Sequence, residues 1–141
     1  MKWYFAARMR QREFIEKIVH SLEAKDHSIV YDWSKFGSLK PYHENSSKSS
    51  SVAREISEAL KNVDVFVLLA DESGTDMYVE LGIAIGRWLD NPKTRIYAVG
   101  EFNNRSLMHF HPAIQRLEKL SDVFARECPD LLVTGDTTLL P

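Results

Sequence analysis

Apolar and polar residues change their period several times along the chain, and each change marks an element. Lys2 to Ala7 is a short aromatic and apolar run with the character of a strand, and Phe14, Ile15, Ile18, Val19 and Leu22 follow at helical spacing. His27 to Trp33 holds the β-favouring group Ser28, Ile29, Val30 and Tyr31. From Ser34 to Ser51 the chain turns polar, and Ser46, Ser47, Ser49, Ser50 and Ser51 predict a mobile loop. Val52, Ile56 and Leu60 recur with one helical face, and Val63 to Ala70 is a nearly unbroken β-branched and leucine run, as in a central strand covered on both sides. Met77, Leu81, Ala84, Ile85 and Trp88 trace a third helix before a strand at Thr94 to Val99. Beyond Gly100 the pattern weakens: Ala113 to Leu117 is a candidate fifth strand, Glu118 to Glu127 a closing helix, and Pro129 to Pro141 is unassigned.

Strands that alternate with helices predict a parallel sheet with helices on both faces, because each crossover is right-handed and buries its apolar stripe against the sheet. The expected architecture is α/β: a flavodoxin-like (Rossmann-like) three-layer sandwich with a parallel five-stranded sheet in the order 2-1-3-4-5. In such a sheet the ligand crevice opens at the carboxyl ends of strands 1 and 3, where the connections diverge. Chemistry is therefore expected just after Tyr4 and Ala70.

Composition narrows the field of functions. The 141 residues fit one domain, and 44% apolar with 27% charged content suits a soluble globule. With 18 basic against 20 acidic residues the formal charge is -2, which lacks the basic excess expected of a nucleic-acid polymer binder. The single Cys128 has no partner for an internal disulfide, the first residues lack a signal-peptide apolar region, and no apolar run approaches the roughly 18 residues that span a bilayer. These features predict a cytoplasmic protein with no membrane partner.

The segment from Ala70 to Gly82 falls at the expected switch point. Ser73, Gly74 and Thr75 suit a tight turn, and Thr75 or Asp76 is expected to cap the third helix through its side-chain oxygen. Glu80 then lies about 90° from the centre of the helix's apolar stripe, at the border between sheet and crevice. The helix dipole favours its ionised form and desolvation opposes it, so helical geometry alone leaves both a nucleophile and a surface glutamate open.

Three separated segments resemble the nucleoside 2-deoxyribosyltransferase-like superfamily, which includes deoxyribosyltransferases and nucleoside-monophosphate N-glycosidases. Trp3-Tyr4-Phe5-Ala6-Ala7-Arg8 is similar to the family's first strand and loop, and Asn62 to Leu69 to its third strand. Tyr78-Val79-Glu80-Leu81-Gly82-Ile83-Ala84 matches the family's Glu-Leu-Gly-x-Ala helix. The resemblance implies cleavage or transfer at the N-glycosidic bond of a nucleoside or nucleoside monophosphate, with no cofactor. It makes Glu80 the nucleophile, Tyr4 its orienting hydroxyl and Glu55 the nearest match to a second acid. Core packing of Tyr4 and a solvated Glu55 are the plainer alternatives, and Asp64 is expected to pair at the start of its strand.

The resemblance further implies that Arg8 and Arg10 meet a substrate phosphate, although a solvated helix start would use the same residues. The family's Asp or Ser six positions before the nucleophile is replaced by Gly74, so Ser73 or Asp76 is the candidate substitute. Arg105-Ser106-Leu107-Met108 resembles the segment that completes a neighbouring subunit's pocket, with Ser106 and Met108 in contact, which implies a homodimer or higher homo-oligomer. The alternative leaves these residues on the domain's own surface.

Other chemistries are poorly supported. His109 and His111 lack a Cys or acidic cluster with metal-site spacing and are expected on the surface, and Cys128 has no catalytic-cysteine context. A dinucleotide fingerprint, a P-loop and a phospho-receiver's acidic pair are all missing after the strands that would carry them. Two rivals remain: a nucleotide-sensing module in which Glu80 touches ribose without reacting, and an NAD glycohydrolase of the Toll/interleukin-1 receptor type.

Overall fold

A computed structural model describes residues 1–133 of the chain. Strands β1 (Lys2–Ala6), β2 (Ser28–Ile29), β3 (Val65–Leu69), β4 (Arg95–Val99) and β5 (Ile114–Leu117) form an all-parallel sheet in the order β2-β1-β3-β4-β5. The helices are α1 (Arg12–Glu23), α2 (Ser46–Leu60), α3 (Asp76–Asp90), α4 (Leu120–Glu127) and the short α5 (Asp130–Val133). The three-layer arrangement and the strand order are those expected.

Side chains alternate across each strand, and that alternation divides the core into two layers. Trp3, Phe5, Val65, Val67, Tyr97 and Val99 pack with Ile15, Ile18 and Leu22 of α1 and with Val123 and Phe124 of α4. Tyr4, Ala6, Phe66, Leu68, Ile96 and Ala98 point the other way, onto Leu60 of α2 and onto Met77, Leu81, Ala84 and Ile85 of α3. Strands buried on both sides need apolar residues at every position, which explains the unbroken run through β3. Register sets Tyr4 beside Phe66, with their rings stacked at 5.7 Å. Tyr4 is thereby fixed on the face that α3 covers.

Several boundaries differ from expectation. Ser46 to Ser51 form the first turns of α2 rather than a loop. Leu60 is the one α2 residue that is buried, so the amino-terminal half of this helix carries little apolar periodicity to detect. In the His27 to Trp33 region only Ser28 and Ile29 join the sheet, and β3 spans Val65–Leu69. The closing helix starts at Leu120, and part of the unassigned tail forms α5; residues 134–141 lie outside the described residues. Asp64 pairs as expected, since its Oδ2 accepts from Lys2 N–H at 2.9 Å and its own N–H donates to the Lys2 carbonyl at 2.8 Å. Among the described residues no helix is long and apolar enough to cross a membrane.

Candidate active site

Glu80 stands in the second turn of α3, above the carboxyl half of β1. Its side chain is half-buried, and desolvation raises its pKa from 4.5 to about 7. A hydrogen-bonding interaction with Tyr4 works against that rise, while the Asp76 carboxylate one helical turn earlier adds to it. Tyr4 is fully buried, and its hydroxyl makes no hydrogen bond of ordinary geometry with any other group. Burial, followed by Glu80, holds the Tyr4 hydroxyl well above the ordinary tyrosine range, so it stays a proton donor aimed at the carboxylate. A buried hydroxyl in this position is costly unless the neighbouring carboxyl, or a ligand between them, accepts from it.

Two further tyrosines complete the surroundings of this pair. Tyr42, from the segment before α2, donates its hydroxyl to Asp76 Oδ2 at 3.0 Å, and the Glu80 carboxylate also bears on it. Burial first, then Glu55, raises the Tyr31 pKa, and Tyr31 adds slightly to the upward push on Tyr4. Glu55 itself is exposed on α2. Sequence patterns name Tyr31 only as part of a strand and leave Tyr42 out, because both belong to irregular chain whose placement depends on tertiary contacts.

Behind Glu80, the turn between β3 and α3 is organised around Asp71. This carboxylate is buried and takes hydrogen bonds from Arg10 Nη2, Ser73 N–H at 3.0 Å and Ser73 Oγ at 3.3 Å, with Arg8 Nη1 at 3.6 Å. Burial opposes its ionisation, but the Ser73 N–H and the Arg10 guanidinium outweigh burial and hold its pKa below the usual value. Arg8 also donates to Ser73 Oγ, and Arg105 Nη1 reaches the Asp71 carbonyl at 2.7 Å, where Tyr78 also donates at 2.6 Å. Two guanidinium groups, Arg8 and Arg10, thus face the Asp71 carboxylate, and a third, Arg105, holds the carbonyl of the same residue. Sequence patterns name Arg105 only within the segment expected at a neighbouring subunit, not at this turn.

Gly74 has φ +101°, and a Cβ there would meet Arg8 Cδ at 2.8 Å and Met77 Sδ at 3.0 Å. The Arg8 side chain therefore occupies the space that a side chain at this position would need, and the positive φ suits glycine. Thr75 is the residue before α3 but makes no side-chain cap, contrary to expectation; it is exposed, and Asp76 is held by Tyr42 instead.

The segment after β4 is stitched to the same turn. Ser106 and His109 form a reciprocal box at the 3-10 turn Leu107–Phe110, with Ser106 N–H donating to His109 Nδ1 at 3.1 Å. His109 is fully buried rather than on the surface, and its ring meets Tyr78 edge-on at 5.8 Å. That contact and the Arg105 bond explain the burial: His109 closes the seam between this segment and α3. Met108 is exposed, and Ser106 is engaged within its own segment.

No family model matches the chain, and no curated protein does. Among solved structures, the CMP N-glycosidase BcmB of Clostridium botulinum aligns with a TM-score of 0.57, covering 84% of this chain and 89% of that one at 14% identity. The chain has the fold of this CMP N-glycosidase. That fold brings Tyr4, Glu80, Asp76, Arg8, Arg10 and Ser73 to the carboxyl ends of β1 and β3 in this chain.

Elsewhere, a cavity of about 690 Å³ opens beyond β4 and β5 and is lined by residues including Glu101, Asn104, Arg116 and Lys119. It includes neither Glu80 nor Tyr4. Among the described residues no group of three or more His, Cys, Asp or Glu side chains is arranged for a metal. Cys128 is buried, and burial pushes its thiol up to about 11, far from a reactive thiolate.

Proposed function

We propose that this chain cleaves or transfers at the N-glycosidic bond of a nucleoside or nucleoside monophosphate, with Glu80 as the nucleophile and Tyr4 as the residue that orients it. The observation that carries this reading is the half-buried, desolvated Glu80 carboxyl near the buried Tyr4 hydroxyl, which has no hydrogen-bond partner of ordinary geometry. As the bond between base and sugar breaks, positive charge grows on the anomeric carbon and the base departs with the bonding pair, taking up a proton. A carboxylate below the sugar stabilises that charge far better in a desolvated crevice than in water. Attack by Glu80 gives a glycosyl ester, which water or a second base then opens with release of the carboxylate. The acceptor decides between hydrolase and transferase.

The Arg8 and Arg10 guanidinium groups beside Asp71 favour a substrate with a phosphate. Arg8 and Arg10 are partly exposed, and the Ser73–Asp76 turn stands at the amino end of α3, where backbone N–H groups attract an anion. The similarity to a CMP N-glycosidase makes CMP the first substrate to test.

The reading also includes a homo-oligomer. Leu107 is 85% exposed, and Met108 and Phe110 are exposed with it on the same 3-10 turn. Val79, next to the nucleophile on α3, is 65% exposed, so a second copy seated here would cover apolar surface at the margin of the crevice. Sedimentation of the wild type and a Leu107→Lys, Phe110→Lys variant should distinguish an oligomer from a monomer.

The deciding experiment incubates wild type and Glu80→Ala with nucleosides, their monophosphates and NAD, with and without a second free base, and follows base release by chromatography. Release from a monophosphate by wild type alone is the expected result. Intact binding without turnover would replace the enzyme with a sensing module, and free nicotinamide as the sole product would point to NAD.

A further inference from the structure

The segment between β2 and α2 carries two large aromatic side chains that neither core layer uses. Phe36 is 55% exposed and Tyr42 is 42% exposed, and both belong to the side of the molecule where Glu80 lies. This is a built stretch of chain. Its base is fixed by Val30 N–H on the Trp3 carbonyl at 2.9 Å and by Trp33 Nε1 on the Phe5 carbonyl at 2.6 Å. Its far half is clamped by Asn45 Nδ2, which donates to the carbonyls of Leu39 at 3.0 Å and Pro41 at 3.3 Å.

Tyr42 then ties the segment to α3 through its 3.0 Å hydrogen bond to Asp76, one helical turn before the nucleophile. Residues four apart on a helix are neighbours on one face, so Asp76 sets the Tyr42 ring on the side of α3 that carries Glu80. The Lys40 ammonium lies over the Tyr42 ring at 5.9 Å and takes one of its faces. A planar ligand would take the opposite face. Phe36 is tilted against Tyr31 at 6.1 Å between ring centroids.

We propose that Tyr42, oriented by Asp76, is a specificity-determining wall on which the planar leaving base stacks while its sugar lies over Glu80. This rests on the N-glycosidase reading above and deepens it: selection acts on the aromatic base, separately from the arginines that suit a phosphate. Stacking of a base on an aromatic side chain is lost on truncation to alanine, and a roughly tenfold weakening is expected from one ring.

The test measures equilibrium binding of CMP and of ribose 5-phosphate by calorimetry, with Glu80→Gln as the parent so that ligand is not consumed, and with Tyr42→Ala and Tyr42→Phe added to it. Circular dichroism and urea unfolding verify that each variant folds. Tyr42→Ala should weaken CMP binding about tenfold and leave ribose 5-phosphate unchanged, whereas Tyr42→Phe, which keeps the ring and loses the tether, should fall between. Equal weakening of both ligands, no weakening of either, or no CMP binding by the parent would overturn the wall. Base release from CMP by wild type is followed in parallel. No release, with the selective tenfold loss intact, would remove the chemistry and keep the wall.

Discussion

Replacing Glu80 by glutamine should make the protein more stable, and more so as the pH rises. The carboxyl titrates at about 7 in the fold against 4.5 when unperturbed, because burial opposes its charge. Between these values the folded chain binds a proton that the unfolded chain has released, so the wild type loses stability as pH climbs from about 4.5 to about 7 and regains none above that. At ~1.4 kcal/mol for each tenfold in proton affinity, the full penalty is about 3 kcal/mol, reached near pH 8, with about 1 kcal/mol already present at pH 5. Glutamine is neutral throughout and nearly the same shape. Urea unfolding of wild type and Glu80→Gln at pH 5, 6, 7 and 8 should therefore give curves that diverge by about 2 kcal/mol over this range, with the variant the more stable. Parallel curves would mean that Glu80 is solvated in the fold, and the argument for a desolvated nucleophile would fail with it.

Two neighbours should move the chemistry in opposite directions. Tyr4 favours the ionised Glu80 and Asp76 opposes it, so Tyr4→Phe should shift the acid limb of the kcat/KM profile for base release above about 7, and Asp76→Asn should shift it below. Shifts in the same direction would refute the assignment of the two influences. Gly74→Ser should destabilise the fold by about 1–3 kcal/mol in urea unfolding, since a side chain at φ +101° is strained and would meet Arg8 Cδ at 2.8 Å. Binding of CMP by this variant should weaken as well, because Arg8 must move; an unchanged affinity would separate Arg8 from the substrate.

Much of the fold was legible because β3 and α3 carry strong, unambiguous periods. The apolar run through Val65–Leu69 admits only a central strand, and Met77, Leu81, Ala84 and Ile85 admit only a helix laid on it. Glu80 could be placed at the crevice border from helical geometry alone, and the alternation in β1 was enough to set Tyr4 opposite Trp3 and Phe5. The serines at the start of α2 were misread because that helix buries only Leu60. Tyr42 left no sequence signal, Tyr31 was legible only as a strand residue and Arg105 only as part of a motif expected at a neighbouring subunit: all three lie in irregular chain and acquire their places from partners far away in sequence, such as the 34 positions between Tyr42 and Asp76. His109 was placed wrongly for a related reason, since its burial depends on Tyr78 and on the box with Ser106, neither of which leaves a local signature.

The two-sided alternation of β1 couples the packing of the sheet to the proposed site. Consecutive residues of one short strand serve different ends: Trp3 and Phe5 anchor the layer under α1 and α4, while Tyr4 between them carries the hydroxyl beneath Glu80. A slip of one residue in pairing would turn an indole or a phenyl ring toward Glu80 and leave a tyrosine hydroxyl stranded among hydrocarbon. Misaligned chains are therefore unstable and lack the proposed site, so selection for a well-packed sheet also preserves the arrangement on which the proposed turnover would depend.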